Sequence, residues 1–438
     1  MKQLRIKDNN IRKKEEFHSV SNLTSFIVDK SLYQLEKDGV FVFPEIIKDS
    51  EEITKDQMIL QSVNDYYRSS NVMGFIGMGD ERLIIESRFS KGSEDYFFQY
   101  LLERVLEVPN IINLYTDSSQ DIRLYNLLLF LFPQYLKSAL RKGLFKTYIK
   151  KCYNDSNVRG NIDIARHIKK NNPFVGKIAY SQREYTYDNY LMELIRHTIE
   201  YIKSKPYGYK LLRNLKDEVK LVISATPDYK AGARRRLIEE NKNKVVRHAF
   251  YHEYRSLQQL CILILSNEKH QIGLGTKRVY GILFDGAWLW EEYINMLIGE
   301  KFYHPMNKGG KGAQWLFSGN NGRIYPDFIS KNSQQRVIAD AKYKPMENIG
   351  NKDYLQVLAY MYRFDAKQGL YLYPENNGRD DVRLFVNSGV SFENNVQVRE
   401  DIYIKKQGLK IPNNVDSYDE FVALINKSED AFMESLVS

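Results

Sequence analysis

Two carboxylates and a lysine are the residues in this sequence best suited to catalysis. Asp340 and Lys342 lie two residues apart in an apolar segment that alternates like a strand, so their side chains project from the same face. Asp327 precedes another apolar stretch, and the polar segment 330–335 between the two stretches predicts a hairpin loop. Pairing of the two strands would bring Asp327 alongside Asp340.

Two carboxylates in this arrangement favour a metal-dependent hydrolase. Held close together they repel each other, which raises the pKa of one of them unless a cation intervenes. Mg²⁺ suits such a pair because it prefers hard oxygen ligands. Lys342 could then hold and orient a water molecule, so Asp327, Asp340 and Lys342 together predict attack of water on phosphorus.

Polar residues on two predicted helices could complete this site. Gln356 and Tyr360 are four residues apart on one helix and therefore face the same way. Glu291 lies on the otherwise apolar stripe of the other helix, and a buried glutamate needs a partner such as a metal ion or its bound water. Glu292 is the alternative one residue along, and the sequence leaves both glutamates open.

Context, and not the Asp-x-Lys triplet itself, carries this prediction. Similar acid-x-Lys triplets occur at 228–230, 240–242 and 365–367, as chance predicts for a chain of 438 residues. None of them ends an alternating strand that has a second carboxylate on a partner strand. Without that context, Asp327 and Lys342 would be interpreted as a surface ion pair.

The chain divides by pattern into three regions. Residues 1–110 mix strand and helix patterns, whereas residues 111–272 look mainly helical, with helical periodicity at 145–151 among other places. Residues 273–438 alternate helix and strand in αβββαβ order and end in one more helix, so the predicted fold class is mixed α/β. The elements predicted in this last region are a helix at 287–299, strands at 314–317, 323–329 and 336–343, a helix at 352–363, a strand at 369–373 and a helix at 417–436.

Composition indicates a globular, cytoplasmic protein. Hydrophobic residues make up 43% and charged residues 27% of the chain, which excludes wholesale disorder. Two cysteines cannot form a disulfide framework or a Cys-rich zinc site, so a reducing compartment is indicated. Apolar runs are too short to cross a membrane. The pattern GxxxxGK[ST] is absent from the sequence, so this chain is expected to bind no nucleotide through such a loop.

Charge gives a weaker indication of the partner. Lys and Arg total 64 against 55 for Asp and Glu, and the net charge of +9 suits a polyanion only modestly. The candidate contacts to DNA phosphates are Arg234, Arg235 and Arg236 in the densest basic patch, and Lys308 and Lys311 in a glycine-rich loop. A solvated loop is the alternative interpretation of the arginine patch.

The catalytic pattern resembles that of the PD-(D/E)XK nucleases. Pro326-Asp327 is followed by Asp340-Ala341-Lys342, which is a literal match to the motif. The resemblance implies that Asp327, Asp340 and the backbone carbonyl of Ala341 bind Mg²⁺, which Mn²⁺ can replace. It also implies a nuclease core built in the αβββαβ order.

The same superfamily suggests roles for the residues on the two helices. A Q-x-x-x-Y helix, as formed by Gln356 and Tyr360, occurs beside the catalytic hairpin in its exonuclease-like branch. These two residues would position the site or the DNA strand. Glu291 would be a metal ligand or would contact the ligands without touching the metal.

A larger part of the chain resembles McrC, the nuclease subunit of McrBC-type modification-dependent restriction systems. The segments that carry this resemblance are 158–163, 188–189, 289–294, 324–329 and 338–344. It implies an endonuclease that cuts modified double-stranded DNA together with a hexameric, McrB-like AAA+ GTPase, whose GTP hydrolysis it stimulates. Residues 1–110 would dock on this partner, while a stand-alone DNA repair nuclease and a non-cleaving regulator of an AAA+ protein are the alternatives.

Overall fold

The fold is described from a computed structural model of the 438-residue chain. The structure describes residues 2–38, 40–43, 56–92, 94–105, 120–205, 208–266, 279–305, 313–389 and 396–436, with the side chains of all but 120–127 and 130 among them.

Strands and helices alternate along the described chain. The strands are β1 (Lys2–Lys7), β2 (Ile11–Lys13), β3 (Val40–Phe43), β4 (Leu60–Val63), β5 (Tyr66–Ser69), β6 (Val72–Met78), β7 (Glu81–Glu86), β8 (Thr147–Asp155), β9 (Asn161–Ile162), β10 (Ile178–Thr186), β11 (Val279–Asp285), β12 (Phe302–Tyr303), β13 (Gln314–Phe317), β14 (Asn321–Ile324), β15 (Phe328–Ser330), β16 (Val337–Ala341), β17 (Gln368–Glu375), β18 (Val382–Ser388) and β19 (Gln397–Lys410). The helices are α1 (Ser21–Ile27), α2 (Leu32–Asp38), α3 (Tyr96–Val105), α4 (Gln120–Leu140), α5 (Ile164–Lys170), α6 (Tyr190–Lys203), α7 (Gly208–Leu212), α8 (Lys216–Ala225), α9 (Arg234–Asn243), α10 (His252–Ser266), α11 (Gly286–Ile298), α12 (Asn351–Arg363) and α13 (Tyr418–Ser435). The prediction of a mixed α/β fold is confirmed.

The chain forms two compact units where the sequence predicted three regions. One unit combines Met1–Asn113 with Gly273–Ser438, and the other is Leu114–Ile272. The sequence placed the middle region at 111–272. The predicted N-terminal and C-terminal regions, 1–110 and 273–438, share one unit because a strand from the second lies inside a sheet of the first.

That shared sheet has the strand order β1-β7-β6-β11-β3. Gly79, at the turn of the β6–β7 hairpin, has a φ of 62°, a conformation that glycine adopts at little cost. β11 pairs antiparallel with β6 and parallel with β3, and all seven of its residues are buried. A strand that is covered on both faces has a nearly continuous apolar sequence, and β11 shows this pattern.

The second sheet of this unit carries the predicted catalytic residues. Its strand order is β12-β15-β16-β17-β19-β18, with β15 antiparallel to β16 and β16 parallel to β17. Helix α12 connects β16 to β17, and it begins and ends within one residue of the predicted bounds. The strand predicted over 323–329 is interrupted, because Pro326 cannot donate a ladder hydrogen bond and lies between β14 and β15. β13 and β14 pair with each other instead.

The other unit is built mainly of helices around one small sheet. β8, β10 and β9 form this sheet, in that order. The prediction of helix at 145–151 is wrong, since most of that segment belongs to β8. Burial alternates between intermediate and exposed along Thr147–Tyr153, which is the two-residue period of a strand and not a helical stripe. α4 continues through Pro133 to Leu140, although proline lacks the N–H that a helix would use at this position.

Candidate active site

The β15–β16 hairpin brings the two predicted carboxylates together. Its register pairs Phe328 with Ala339, and continuing that register by one residue sets Asp327 opposite Asp340. Asp327 accepts a hydrogen bond through its Oδ2 from the backbone N–H of Ala341, at 2.9 Å. The first carboxylate is therefore fixed to the strand that carries the second.

Asp340 and Lys342 form an ion pair at the end of β16. Asp340 is only 1% exposed, and its Oδ2 lies 2.6 Å from the Nζ of Lys342. That oxygen makes no hydrogen bond of regular geometry within the described residues, so the contact is charge attraction more than a directed bond. A buried carboxylate oxygen in this state retains lone pairs that a cation could use.

Gln356 and Tyr360 extend this cluster from helix α12. Lys342 donates to the Oε1 of Gln356 at 3.3 Å, and the Nε2 of Gln356 donates to the hydroxyl of Tyr360 at 2.8 Å. Burial raises the pKa of Tyr360 to about 12, and the negative charges of Asp340 and Asp327 add to this effect. The structure thus brings both helix residues to the side chains that the sequence singled out.

Asp353 is a further member that the sequence reasoning missed. It accepts from the Nζ of Lys344 at 2.7 and 2.8 Å, and lies 3.9 Å from the Nζ of Lys342. Burial opposes its ionisation, but the hydrogen bonds from Lys344 and Gly350 and the charges of the two lysines outweigh burial and lower the pKa of Asp353. Its position three residues before Gln356 on the same helix face was the signal that could have identified it.

Glu291 reaches the site through a histidine. It is 7% exposed on helix α11, and its Oε1 lies 3.7 Å from the Nε2 of His304. The other ring nitrogen of His304 donates to the backbone carbonyl of Asp327 at 2.9 Å, and the ring stacks on Phe328. Glu292 lies 3.9 Å from the same Nε2, so both glutamates left open by the sequence contact His304.

The charge on His304 follows from these neighbours. Burial lowers its pKa, but the hydrogen bonds to Glu292 and to the Asp327 carbonyl, with the charges of both glutamates, outweigh burial and raise the pKa overall. No spacing pattern in the sequence identifies His304, because it follows the two-residue strand β12 and is brought to Asp327 by the pairing of β12 with β15.

The carboxylates of this cluster are oxygen donors of the kind that Mg²⁺ binds. Within the described ranges, no group of three or more His, Cys, Asp or Glu side chains is arranged to hold a metal ion. Asp327 and Asp340 supply two carboxylates, and Mg²⁺ commonly binds through one or two carboxylates and several waters. The Oδ2 of Asp340 is the oxygen best suited to such a role, because it is buried and makes no hydrogen bond of regular geometry within the described residues.

The residues predicted to contact DNA belong to the Leu114–Ile272 unit or fall outside the described residues. Arg234, Arg235 and Arg236 open helix α9 of the Leu114–Ile272 unit, where the last two are exposed. The guanidinium of Arg234 lies over the ring of Tyr201 at 5.6 Å. Lys308 and Lys311 lie outside the described residues.

Among the helices that the structure describes, none is long and apolar enough to cross a membrane.

Comparison with known proteins gives a family, and the matching solved structures include two McrBC complexes. Residues 67–374 match the family model of the McrBC 5-methylcytosine restriction system component. One solved structure, a half-complex from the tetradecameric assembly of Thermococcus gammatolerans McrB AAA+ hexamers with bound McrC, matches at 16% identity with a TM-score of 0.46, covering 99% of each chain. A cryo-EM structure of the Thermococcus gammatolerans McrBC complex matches at 17% identity with a TM-score of 0.30, covering 68% of this chain and 87% of that one. No curated protein matches.

Proposed function

This chain belongs to the family of the McrBC 5-methylcytosine restriction system component, which matches it over residues 67–374, and we propose that it is the subunit that cuts DNA. The proposed reaction is Mg²⁺-dependent hydrolysis of phosphodiester bonds in modified double-stranded DNA. The observation that carries this proposal is the meeting of Asp327, Asp340 and Lys342 at the open end of one hairpin. The αβββαβ nuclease core belongs to the same proposal.

The side chains divide the work as follows. Asp327 and Asp340, with the carbonyl of Ala341, would hold Mg²⁺, which supplies positive charge for the phosphate and a more acidic bound water. Lys342 donates a hydrogen bond to the attacking water and keeps it in line with phosphorus. Asp340 and Gln356 hold the ammonium group of Lys342 from two sides, which limits its motion.

Other residues hold Asp327 and Gln356 in position. His304 fixes the backbone carbonyl of Asp327 and so orients the residue whose carboxylate binds the metal. Glu291 and Glu292 keep the imidazole of His304 in place. We assign Glu291 a supporting role through the imidazole, which its Oε1 approaches at 3.7 Å. Tyr360 fixes the amide of Gln356.

A partner with nucleotide-driven motion completes the proposal. The sequence has no GxxxxGK[ST] loop, so the energy for moving DNA would come from a hexameric AAA+ GTPase of the McrB kind, whose hydrolysis this chain stimulates. Such a partner would hold the duplex at the site and raise its local concentration there. The modest net charge of +9 is consistent with weak DNA binding by this chain alone.

Two surfaces are candidates for binding the partner. Residues 1–110 were predicted for this role, but β11 joins their sheet, so this region is part of the unit that holds the catalytic hairpin. The better-supported surface is segment 164–175 of the other unit, where the apolar side chains of Ile164, Ile168, Phe174 and Val175 are 61–69% exposed. We call these four residues the apolar patch. Helix α5 buries none of its residues, and exposed apolar patches of this kind mark interaction sites.

A plasmid-cleavage assay with Mg²⁺ tests the proposal. The purified chain should nick or cut modified plasmid slowly alone and rapidly with the AAA+ partner and GTP, and Asp340→Ala should be inactive in both. Efficient cleavage that needs neither partner nor GTP would favour a stand-alone repair nuclease. Stimulation of the partner's GTPase with no cleavage by wild type would favour a non-cleaving regulator.

A further inference from the structure

The residue after the catalytic lysine is buried among residues from the first ninety of the chain. Tyr343 is 4% exposed, and its hydroxyl lies 2.7 Å from the Oγ of Ser87 and 3.2 Å from the Sδ of Met73. Its ring packs edge-on against Phe89, with centroids 5.0 Å apart. We call Met73, Ser87, Arg88 and Phe89 the tyrosine socket.

The socket is itself held rigid by a buried ion pair. Arg88 lies with its guanidinium 4.9 Å from the centre of the Tyr343 ring, and its Nε donates to Asp8 at 2.9 Å. Asp8 is fully buried and also accepts from the backbone N–H of Arg88. The guanidinium of Arg88 donates to the side chain of Asn71 as well. A charged pair tied at this many points leaves the cation over the ring little freedom to move.

The fit around the tyrosine ring is close. A Cβ added at Gly286 would lie 2.7 Å from Cε1 of Tyr343, nearer than two carbons can approach. Gly286 is the first residue of α11, the helix that also carries Glu291. The ring of Tyr343 is therefore confined by helix α11 as well as by the socket, and only glycine at position 286 leaves it room.

Lys342 is consequently fixed on both sides of its own backbone. Its N–H donates to the carbonyl of Leu372 on β17 at 2.9 Å, and that carbonyl also accepts from the Nε1 of Trp290. On the C-terminal side, Lys344 donates its N–H to the carbonyl of Lys342 at 2.8 Å. Between these two hydrogen bonds, the side chain of Tyr343 enters the tyrosine socket. The side chain of Lys342 lies against Asp340.

We propose that Tyr343 is a positioning residue, whose hydroxyl, held by Ser87, sets where the ammonium group of Lys342 lies relative to Asp340. The N-terminal part of the chain thereby contributes to catalysis without touching DNA or metal. This inference rests on the nuclease function proposed above. Packing alone would need only the aromatic ring, so the hydroxyl is the group whose removal separates positioning from simple stability.

Two conservative variants test the role of the hydroxyl. Tyr343→Phe and Ser87→Ala each remove one side of the 2.7 Å contact and leave the ring in place. In single-turnover cleavage at saturating DNA with Mg²⁺, each should lower the rate about 3–10-fold without changing the half-saturating DNA concentration. The double variant should be no slower than the slower single one, because both remove the same contact.

Tyr254→Phe is the matched control. Tyr254 is fully buried in the Leu114–Ile272 unit, and its hydroxyl donates to the carbonyl of Gly143 at 2.7 Å. The control should lower the melting temperature about as much as Tyr343→Phe while leaving the cleavage rate at its wild-type value. Equal rates in Tyr343→Phe, Ser87→Ala and wild type, with all three folded, would overturn the proposal.

Hydrogen exchange provides a reading that does not depend on cleavage. In Tyr343→Phe the backbone amides of Lys342 and Lys344 should exchange at least about tenfold faster than in wild type, since local opening becomes easier. Tyr254→Phe should leave them unchanged. A wild-type chain that fails to cleave would remove the proposed function, whereas unchanged exchange in Tyr343→Phe would remove the positioning role alone.

Discussion

The Nζ of Lys342 lies 2.6 Å from the Oδ2 of Asp340, so the lysine and the buried carboxylate neutralise each other before any cation binds. This pairing changes what the loss of Asp340 should do to stability. Repulsion between the two carboxylates, taken alone, predicts that removing Asp340 would stabilise the metal-free chain. With the ion pair in place, removal instead leaves a largely buried ammonium group without its closest counter-charge.

Asp340→Ala should therefore abolish cleavage and also lower the melting temperature in EDTA. Loss of a metal ligand should reduce the rate on the order of a thousandfold, since metal coordination supplies several kcal/mol. Cleavage assays and thermal unfolding with and without Mg²⁺ measure both effects. Wild type should be stabilised by Mg²⁺ and the variant should not. A melting temperature that rises in EDTA would show that repulsion, and not the ion pair, dominates at Asp340.

Lys342→Ala should separate water activation from metal binding. The rate should fall about 100-fold or more, because a donor aimed at the reacting water is lost. The stabilisation by Mg²⁺ or Mn²⁺ should remain, because the lysine is not a ligand. Isothermal titration with either ion checks this. Should metal affinity disappear together with activity, the assigned role of Lys342 is wrong.

Glu291→Gln distinguishes a metal ligand from a supporting residue. We expect a several-fold lower cleavage rate with the Mg²⁺-induced rise in melting temperature retained, because Glu291 contacts His304. Glu292→Gln removes the other carboxylate beside His304, 3.9 Å from the same nitrogen, and should likewise lower the rate modestly with the Mg²⁺ effect retained. Loss of the Mg²⁺ effect in Glu291→Gln alone would instead make Glu291 a ligand.

Asp95 should make stability fall with rising pH. Burial raises its pKa to about 7, although the N–H groups of Ser87 and Phe98 oppose this. The folded chain then holds a proton that the unfolded chain releases near pH 4, so stability from this group is full at low pH and is lost as pH rises towards 7. Each pKa unit is worth about 1.4 kcal/mol. Asp95→Asn should flatten the dependence of the free energy of unfolding on pH, measured with denaturant from pH 5 to 8, and an unchanged slope would contradict the assignment.

The exposed apolar patch should be required for the partner and not for folding. Ile164→Glu with Ile168→Glu should abolish stimulation of the partner's GTP hydrolysis while leaving the melting temperature within a degree or two, because neither side chain is buried. Leu221→Glu, at a 50% exposed site on α8 of the same unit, is the control. Full stimulation by the double variant would favour residues 1–110 as the region that docks on the partner.

The cluster around the β15–β16 hairpin was predictable because its information is local. Asp340 and Lys342 share a face through the two-residue period of one strand, and Gln356 and Tyr360 through one helical turn. His304 was not predictable, since it meets the Asp327 carbonyl only after β12 pairs with β15. The place of β11 in the N-terminal sheet was equally hidden, because pairing between distant strands leaves no periodic signal. The segment 145–151 was too short for its period to be judged reliably.

The central place of β11 also orders the events of synthesis. β11 separates β6 from β3, so the sheet they share cannot close until residues Val279–Asp285 have left the ribosome. The whole of the Leu114–Ile272 unit emerges before that point and can fold first. Until then β6, an almost wholly buried strand, has no partner on one edge, which is the condition in which nascent chains aggregate. Translation that stops within the middle unit should therefore yield an insoluble fragment, even though most of the N-terminal sheet is already present.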